Sequence, residues 1–400
     1  MSARPHVDDA QRRARLQRRH LLTADVPQSM SVTEAVSAIV GLHATCPPTM
    51  YLSLWARVPG FRREQLDTAL YDERSLIKQL AMRRTMFVLD RSCLADAVGA
   101  VGPRVAASER TNMLRDLRRS SDFDDPEAWI DTARAAVVGA LADGWVASST
   151  ELRSRLPELD GVVQIAPDRP WGGTAPMGPR VLNMMSAAGD IVRGPNAAGW
   201  HLSRPQWSSM LRWLGEPLPQ RSVADGHRAM VARWLRTFGP GTETDIVWWL
   251  GSTKASVRTA LADLAAVEVD LDSTGADGGG VGYVLPDDVD DVEPVAPQGF
   301  LLPELDPATM GWKERGWYLG DHAGHVFDRN GNGGQTIWWD GRIVGGWFQR
   351  PDGSIGLHPL EKLPRTAMTQ LAARADDLAA WLGDTRPKPG YPAPFMKVVG

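Results

Sequence analysis

A plan of three helices followed by a β-ribbon recurs along this chain, and it limits the possible folds more than any other feature. The clearest copy runs from about residue 126 to 205. Residues 126–141 are amphipathic, Ser149-Thr150-Glu151 starts a short second helix, and residues 176–188 make a third. Gly189-Asp190-Ile191-Val192-Arg193-Gly194 then turns into a strand, and Gly199-Trp200-His201-Leu202-Ser203 returns as its partner. This is the plan of a winged helix, a relative of the helix-turn-helix. Residues 223–285 repeat it, with helices over 223–238, from Thr242-Glu243-Thr244 onward, and over 252–265, then strands near 267–271 and 282–285. The glycine-rich residues 274–280 are the expected wing tip.

The first segment, residues 8–120, is richer in helix but follows the same plan. Asp122 to Pro126, Gly215 to Gln220 and the acidic run from Asp287 to Pro297 read as joints. Beyond the last joint the pattern changes. Asn330-Gly331-Asn332-Gly333, Asp340-Gly341 and Asp352-Gly353 are hairpin signals between apolar runs, which predicts a small antiparallel sheet or barrel over 300–363. A last helix over about 366–382 leads to a proline-rich tail from Pro387.

Composition narrows the class. With 43% hydrophobic residues the 400-residue chain can bury a large core, and two cysteines supply no disulfide framework. No apolar run approaches the roughly 20 residues that span a bilayer, so a cytoplasmic setting without membrane association is expected. Net charge is −4, but residues 1–120 carry 19 Lys and Arg against 12 Asp and Glu, while residues 265–310 carry 11 acidic residues and no basic one. Such asymmetry can leave one basic face to attract phosphates, although a solvated basic face has the same composition. The six lysines leave few candidates for Schiff-base chemistry.

Residues 41–51 are the first place to look for chemistry. Ser31-Val32-Thr33-Glu34 is a capping box, opening a helix with Val36, Ile39, Val40 and Leu42 on its apolar face. Pro47 and Pro48 are expected to end it. The approach to a proline is extended, so His43 and Thr45 are predicted to share a face and to hold a water between an imidazole and a hydroxyl. The same residues also read as an ordinary helix end, with a histidine near carbonyls and a threonine in a turn.

Several motifs, in order, resemble the AlkZ/YcaQ family of bacterial DNA glycosylases. They are the Gly-Leu-x-Ala-x turn at 41–45, Met82-Arg83-Arg84-Thr85-Met86, Gly178-Pro179-Arg180-Val181-Leu182, Ile191-Val192-Arg193-Gly194, Leu301-Leu302-Pro303-Glu304-Leu305-Asp306-Pro307 and Asp340-Gly341-Arg342-Ile343-Val344-Gly345-Gly346. No one motif is specific; their order and spacing are. The resemblance implies a predominantly helical α+β fold of three tandem winged-helix modules and a small C-terminal antiparallel β-barrel. The modules are expected at 1–121, 122–218 and 219–290, with the barrel at 291–400. It also implies excision of N7-alkylated guanine or adenine from double-stranded DNA, and in some members unhooking of bulky adducts or crosslinks of genotoxic natural products. With no sustained heptad or other obvious dimerisation element in the sequence, a monomer is expected.

In the best-known members the catalytic element is glutamine, an apolar residue, then glutamine or aspartate. His43-Ala44-Thr45 stands at that place, so His43 and Thr45 are the expected catalytic pair. An N7-alkylated purine is already a cationic leaving group, and the remaining task is to place a water and stabilise an oxocarbenium-like sugar. No cofactor, metal or covalent nucleophile is needed.

Arg83 and Arg84, in an apolar setting, are expected to meet DNA phosphates from a strand or tight turn. Trp171 could probe a groove or sit in a core, and Arg180 and Asn183 on the third helix of the second module could meet base edges. Arg193 and Arg204 on or beside its wing are backbone-contact candidates. Asp321, His322, His325 and Asp328 have ligand types at metal-like spacing, but such loops more often serve turns. Cys46 lacks an orienting third group for a nucleophile pair with His43. Two rival readings remain: a non-catalytic winged-helix DNA-binding protein or drug-responsive regulator, and a metal-dependent hydrolase centred on His322 and His325.

Overall fold

Helices begin where short polar side chains satisfy the first free backbone N–H groups. Asp8 accepts from the Gln11 N–H (2.7 Å) and opens the helix Asp9–Arg19. Ser31 with Glu34, Ser148 with Glu151, and Thr242 with Asp245 each complete a reciprocal box at the head of Val32–Ala38, Ser149–Arg155 and Glu243–Leu250. The computed structural model describes residues 3–120, 122–165, 172–274 and 278–399. The fold is α+β, with helix predominating. Residues pack as two compact units, 1–67 with 228–400 and 68–227, a different division from the four successive segments expected.

In the first unit, the three-helix-and-ribbon pattern ends in antiparallel strands Val267–Leu271 and Gly280–Val284. The N-terminal strand His6–Val7 adds to this ribbon in parallel, an addition with no local signal. Farther along, Gly299–Leu302, Thr336–Trp339, Arg342–Gln349 and Ile355–Pro359 form an antiparallel sheet in chain order. Among the described residues its first and last strands are not hydrogen-bonded to each other, so no closed barrel is found and the sheet is open between them. The helix Arg365–Leu382 packs on both outer strands and buries Leu371 against Gly299. In an aromatic cluster of Phe238, Trp312, Trp317, Tyr318 and Trp338 nearby, Phe238 and Trp312 pack against buried His20.

The arginines of Asp9–Arg19 are tied to other parts of the chain rather than spread as a free basic face. Arg12 and Arg15 are 2% and 1% exposed. Arg12 donates to the Ser273 carbonyl (2.7 Å), Arg15 to Asp288 and the Asp290 carbonyl, Arg18 to the Glu293 and Pro294 carbonyls, and Arg19 to Asp288 and the Gly239 carbonyl. The basic start of the chain and its acidic joint therefore satisfy each other.

In the second unit the hairpin Leu76–Leu80/Met86–Asp90 leads into the 27-residue helix Arg91–Leu117. Helices Pro126–Leu141, Ser149–Arg155 and Gly178–Ala188 follow as expected, and Met113, Ile130, Val137, Val181, Met185 and Trp207 contribute to their core. The strand Ile191–Asn196 pairs with Pro205–Ser209, not with residues 199–203. That choice buries Trp207 to 2% and leaves Leu202 exposed. Leu76–Leu80 then joins Ile191–Asn196 through Lys78 opposite Arg193, so the hairpin of the first sequence segment and the ribbon of the second share one sheet.

Candidate active site

The helix opened by Ser31 stops at Ala38, short of where it was expected. Val40 takes φ +63°, a left-handed conformation rare for a β-branched residue, and turns the chain into the strand Gly41–His43. Pro47 and Pro48 begin the next helix, Pro47–Trp55, rather than end the previous one. Proline suits a first helical turn because its missing N–H would be unbonded there anyway. His43 and Thr45 thus sit on a strand end and a bend between two helices. His43 is buried, at 3% exposure, and Thr45 is half-buried. The Thr45 hydroxyl oxygen is enclosed and has no hydrogen-bond partner among the described residues. A buried hydroxyl left this way costs about 1–3 kcal/mol, a cost that a bound polar ligand can remove.

Segments remote in sequence support this turn. Thr49 donates to the Glu304 carbonyl (3.1 Å), and the Glu304 carboxylate accepts from the backbone N–H groups of Gly390 (3.0 Å) and Tyr391. Two residues on, Asp306 takes a two-point bond from Arg57 (2.6 and 2.8 Å) and one from Ser53 (2.7 Å), all wholly buried. Glu304 and Asp306 are functional candidates that local reasoning missed as such; the only signal was two acids in the otherwise apolar Leu301–Pro307 motif. Burial, reinforced by Glu304, pushes the Cys46 thiol up to about 12, which removes it as a nucleophile. Among the described residues no three His, Cys, Asp or Glu are grouped to hold a metal. Asp328 instead accepts from the Asn330 and Asn332 N–H groups (2.8 and 2.9 Å), and His322 Nε2 lies 3.3 Å from Glu361.

The residues expected to meet DNA divide by partner. Arg83 and Arg84 form the middle of a tight turn, with Thr85 N–H donating to the Met82 carbonyl (3.1 Å) and φ of +52° and +60°. Arg84 is 60% exposed at its side chain and bonds Glu109 (2.6 Å) on the following helix. Arg180 is held by Asp116 at 2.8 Å, and Asn183 is half-buried on the same helix. Arg193 lies 3.9 Å over the Trp207 ring with no carboxylate partner among the described residues, and burial lowers its guanidinium to about 10. Arg204 is exposed and anchored by its backbone N–H to Asn196. Trp171 lies outside the described residues.

Comparison with known proteins identifies the family. A family profile described as DNA glycosylase AlkZ-like matches residues 36–381, from the helix before the turn to the last sheet-covering helix. The chain belongs to this family. It is therefore a DNA glycosylase of the AlkZ-like family, and it acts on DNA. The fold is similar to that of the Streptomyces sahachiroi DNA glycosylase AlkZ, with a TM-score of 0.71 and 20% identity over 94% of this chain and 97% of that one. No curated protein sequence matches significantly. AlkZ-like membership covers the His43–Thr45 turn, the Arg83-Arg84 turn and the Glu304–Asp306 segment alike.

Proposed function

We propose that this AlkZ-like protein is a monomeric, monofunctional glycosylase for N7-alkylated guanine and adenine, bulky natural-product adducts and crosslinks included, and that His43 and Thr45 perform the hydrolysis. The unspent, enclosed hydroxyl of Thr45, two residues beyond a buried imidazole, carries the reading. Thr45 orients a water, and neutral His43 accepts its proton as the water attacks C1′. The C1′–N9 bond breaks with its electron pair going to the cationic purine, which leaves neutral and needs no prior protonation. The product is an abasic site. No cofactor takes part.

The helix-and-ribbon segments act as winged-helix modules along double-stranded DNA. Arg83, Arg84, Arg180, Asn183, Arg193 and Arg204, with Trp171, are its contacts. Arg193 is the best supported, because its half-buried guanidinium has no carboxylate partner among the described residues and would gain an anionic one in a phosphate. No helix among the described residues is long and apolar enough to cross a membrane, in keeping with a cytoplasmic enzyme that gives self-resistance to a genotoxic product.

The test is incubation with duplex DNA containing N7-methylguanine, followed by alkaline scission at abasic sites. His43→Ala is expected to lose roughly a hundredfold in rate and Thr45→Ala less, with DNA affinity retained. If the double variant excised at the parent rate, His43 and Thr45 would have no part in the chemistry. Tight binding to one palindromic sequence, with no base released from any alkylated duplex, would instead favour a regulator.

A further inference from the structure

We propose that Glu304 and the C-terminal segment at Gly390 and Tyr391 form a clamp that positions the catalytic turn by seating the tail against Cys46. The inference rests on the assignment of His43 and Thr45 above.

Three chain segments meet at Glu304, all in the unit formed by residues 1–67 and 228–400. Glu304 is 4% exposed, and among the described residues no cationic side chain bonds its carboxylate. The carboxylate is instead satisfied by the N–H groups of Gly390 and Tyr391, while the Glu304 carbonyl takes the Thr49 hydroxyl. A carboxylate accepting paired backbone N–H groups makes charge-assisted bonds, roughly twice as strong as neutral ones. The seated tail leaves no room for a side chain at 390. A Cβ built on Gly390 would lie 2.3 Å from Cys46 Sγ, well inside van der Waals contact. Cys46 caps the helix Pro47–Trp55 without any side-chain cap bond, so packing rather than capping fixes this helix start. Thr45 is the residue before it. The raised Cys46 thiol, attributed above to burial and then to Glu304, is the electrostatic sign of the same closeness. A tail that reads as a simple proline-rich extension is thereby part of the support of the active site, and Glu304 is a positioning residue rather than a catalytic one.

The test uses the full chain, a duplex containing N7-methylguanine, and a thiol reagent that reports the Cys46 cover without reference to activity. Gly390→Ala and Glu304→Gln are each expected to lower kcat roughly ten- to hundredfold, as misplacement of a reacting group does, with KM within about twofold. Both should speed Cys46 labelling by at least about tenfold, against buried Cys93 as internal reference. The pair Cys46→Ala/Gly390→Ala removes the collision and should recover most of the rate lost by Gly390→Ala alone, which general destabilisation would not allow. Labelling at the parent rate in both single variants overturns the clamp. Faster labelling with unchanged kcat, or no recovery in the pair, overturns the positioning role. A parent protein that releases no base sinks the glycosylase assignment of His43 and Thr45 and the positioning role with it, while the labelling rates still decide the clamp.

Discussion

Two groups of arginines lie in this protein, and the one that looks less like a DNA contact in composition is the better candidate for it. The helix Asp9–Arg19 carries five arginines, the densest positive charge in the chain. Four of them end on the carbonyls and carboxylates of residues 239, 273, 288, 290, 293 and 294. The turn at Arg83 and Arg84 has only two, yet both occupy left-handed backbone that costs about 1–2 kcal/mol per non-glycine residue. Asn-Gly would form the same turn without that cost. Strain kept at a turn that presents Arg84 to solvent points to function, whereas charge count does not.

The largest expected effect lies in the first group. Arg15→Leu leaves the Asp290 carbonyl unpaired and Asp288 with one cation fewer, and should cost about 3–5 kcal/mol in urea unfolding. The salt dependence of DNA binding should stay unchanged. A surface arginine would give the reverse, so a small stability loss with a weaker salt slope would break the comparison.

At the end of the same helix stands His20, wholly buried, with neither ring nitrogen hydrogen-bonded among the described residues. Burial first, then Arg57 and Arg19, holds its pKa well below the ordinary histidine value. The folded state therefore keeps it neutral while the unfolded chain takes up a proton below roughly pH 6.5. Stability should fall by up to about 1.4 kcal/mol per pH unit below that point until the folded imidazole protonates too, and His20→Phe should flatten this part of the profile. An unaltered profile would mean that another group sets the acid limit.

The turn should behave oppositely to the helix. Arg83→Gly is expected to leave stability unchanged or raise it by up to about 1 kcal/mol, while lowering the slope of log affinity against log salt by about one. Loss of stability with an unchanged slope would assign Arg83 to internal structure. The smallest effect concerns Arg84, whose partner Glu109 is almost fully buried. Glu109→Gln releases the guanidinium, so affinity for any duplex at low salt should rise about two- to fivefold. Weaker binding would show that Glu109 holds Arg84 in place for DNA rather than competing with it.

Much of this was legible locally. The helices Pro126–Leu141 and Val223–Phe238 fall on their expected residues because caps and apolar periodicity act within a few residues. The candidate turn was legible only in part. His43 and Thr45 were visible as polar groups beside prolines, but the prolines open a helix instead of closing one, since a proline's fixed φ serves either boundary and the flanking sequence does not decide which.

The sequence alone determined the order of helices and ribbons, the helix caps, the hairpin turns and the identity of the candidate catalytic side chains. All of these rest on interactions between neighbours in the chain. Only tertiary structure decided that the opening arginines are spent on the acidic joint, that the last sheet shows no closure among the described residues, that Trp207 rather than residues 199–203 sets the ribbon partner, and that Glu304 ties Gly390 and Tyr391 to the start of the helix Pro47–Trp55. Each depends on groups tens to hundreds of residues apart, where burial and hydrogen bonding reward a pairing that no local pattern encodes.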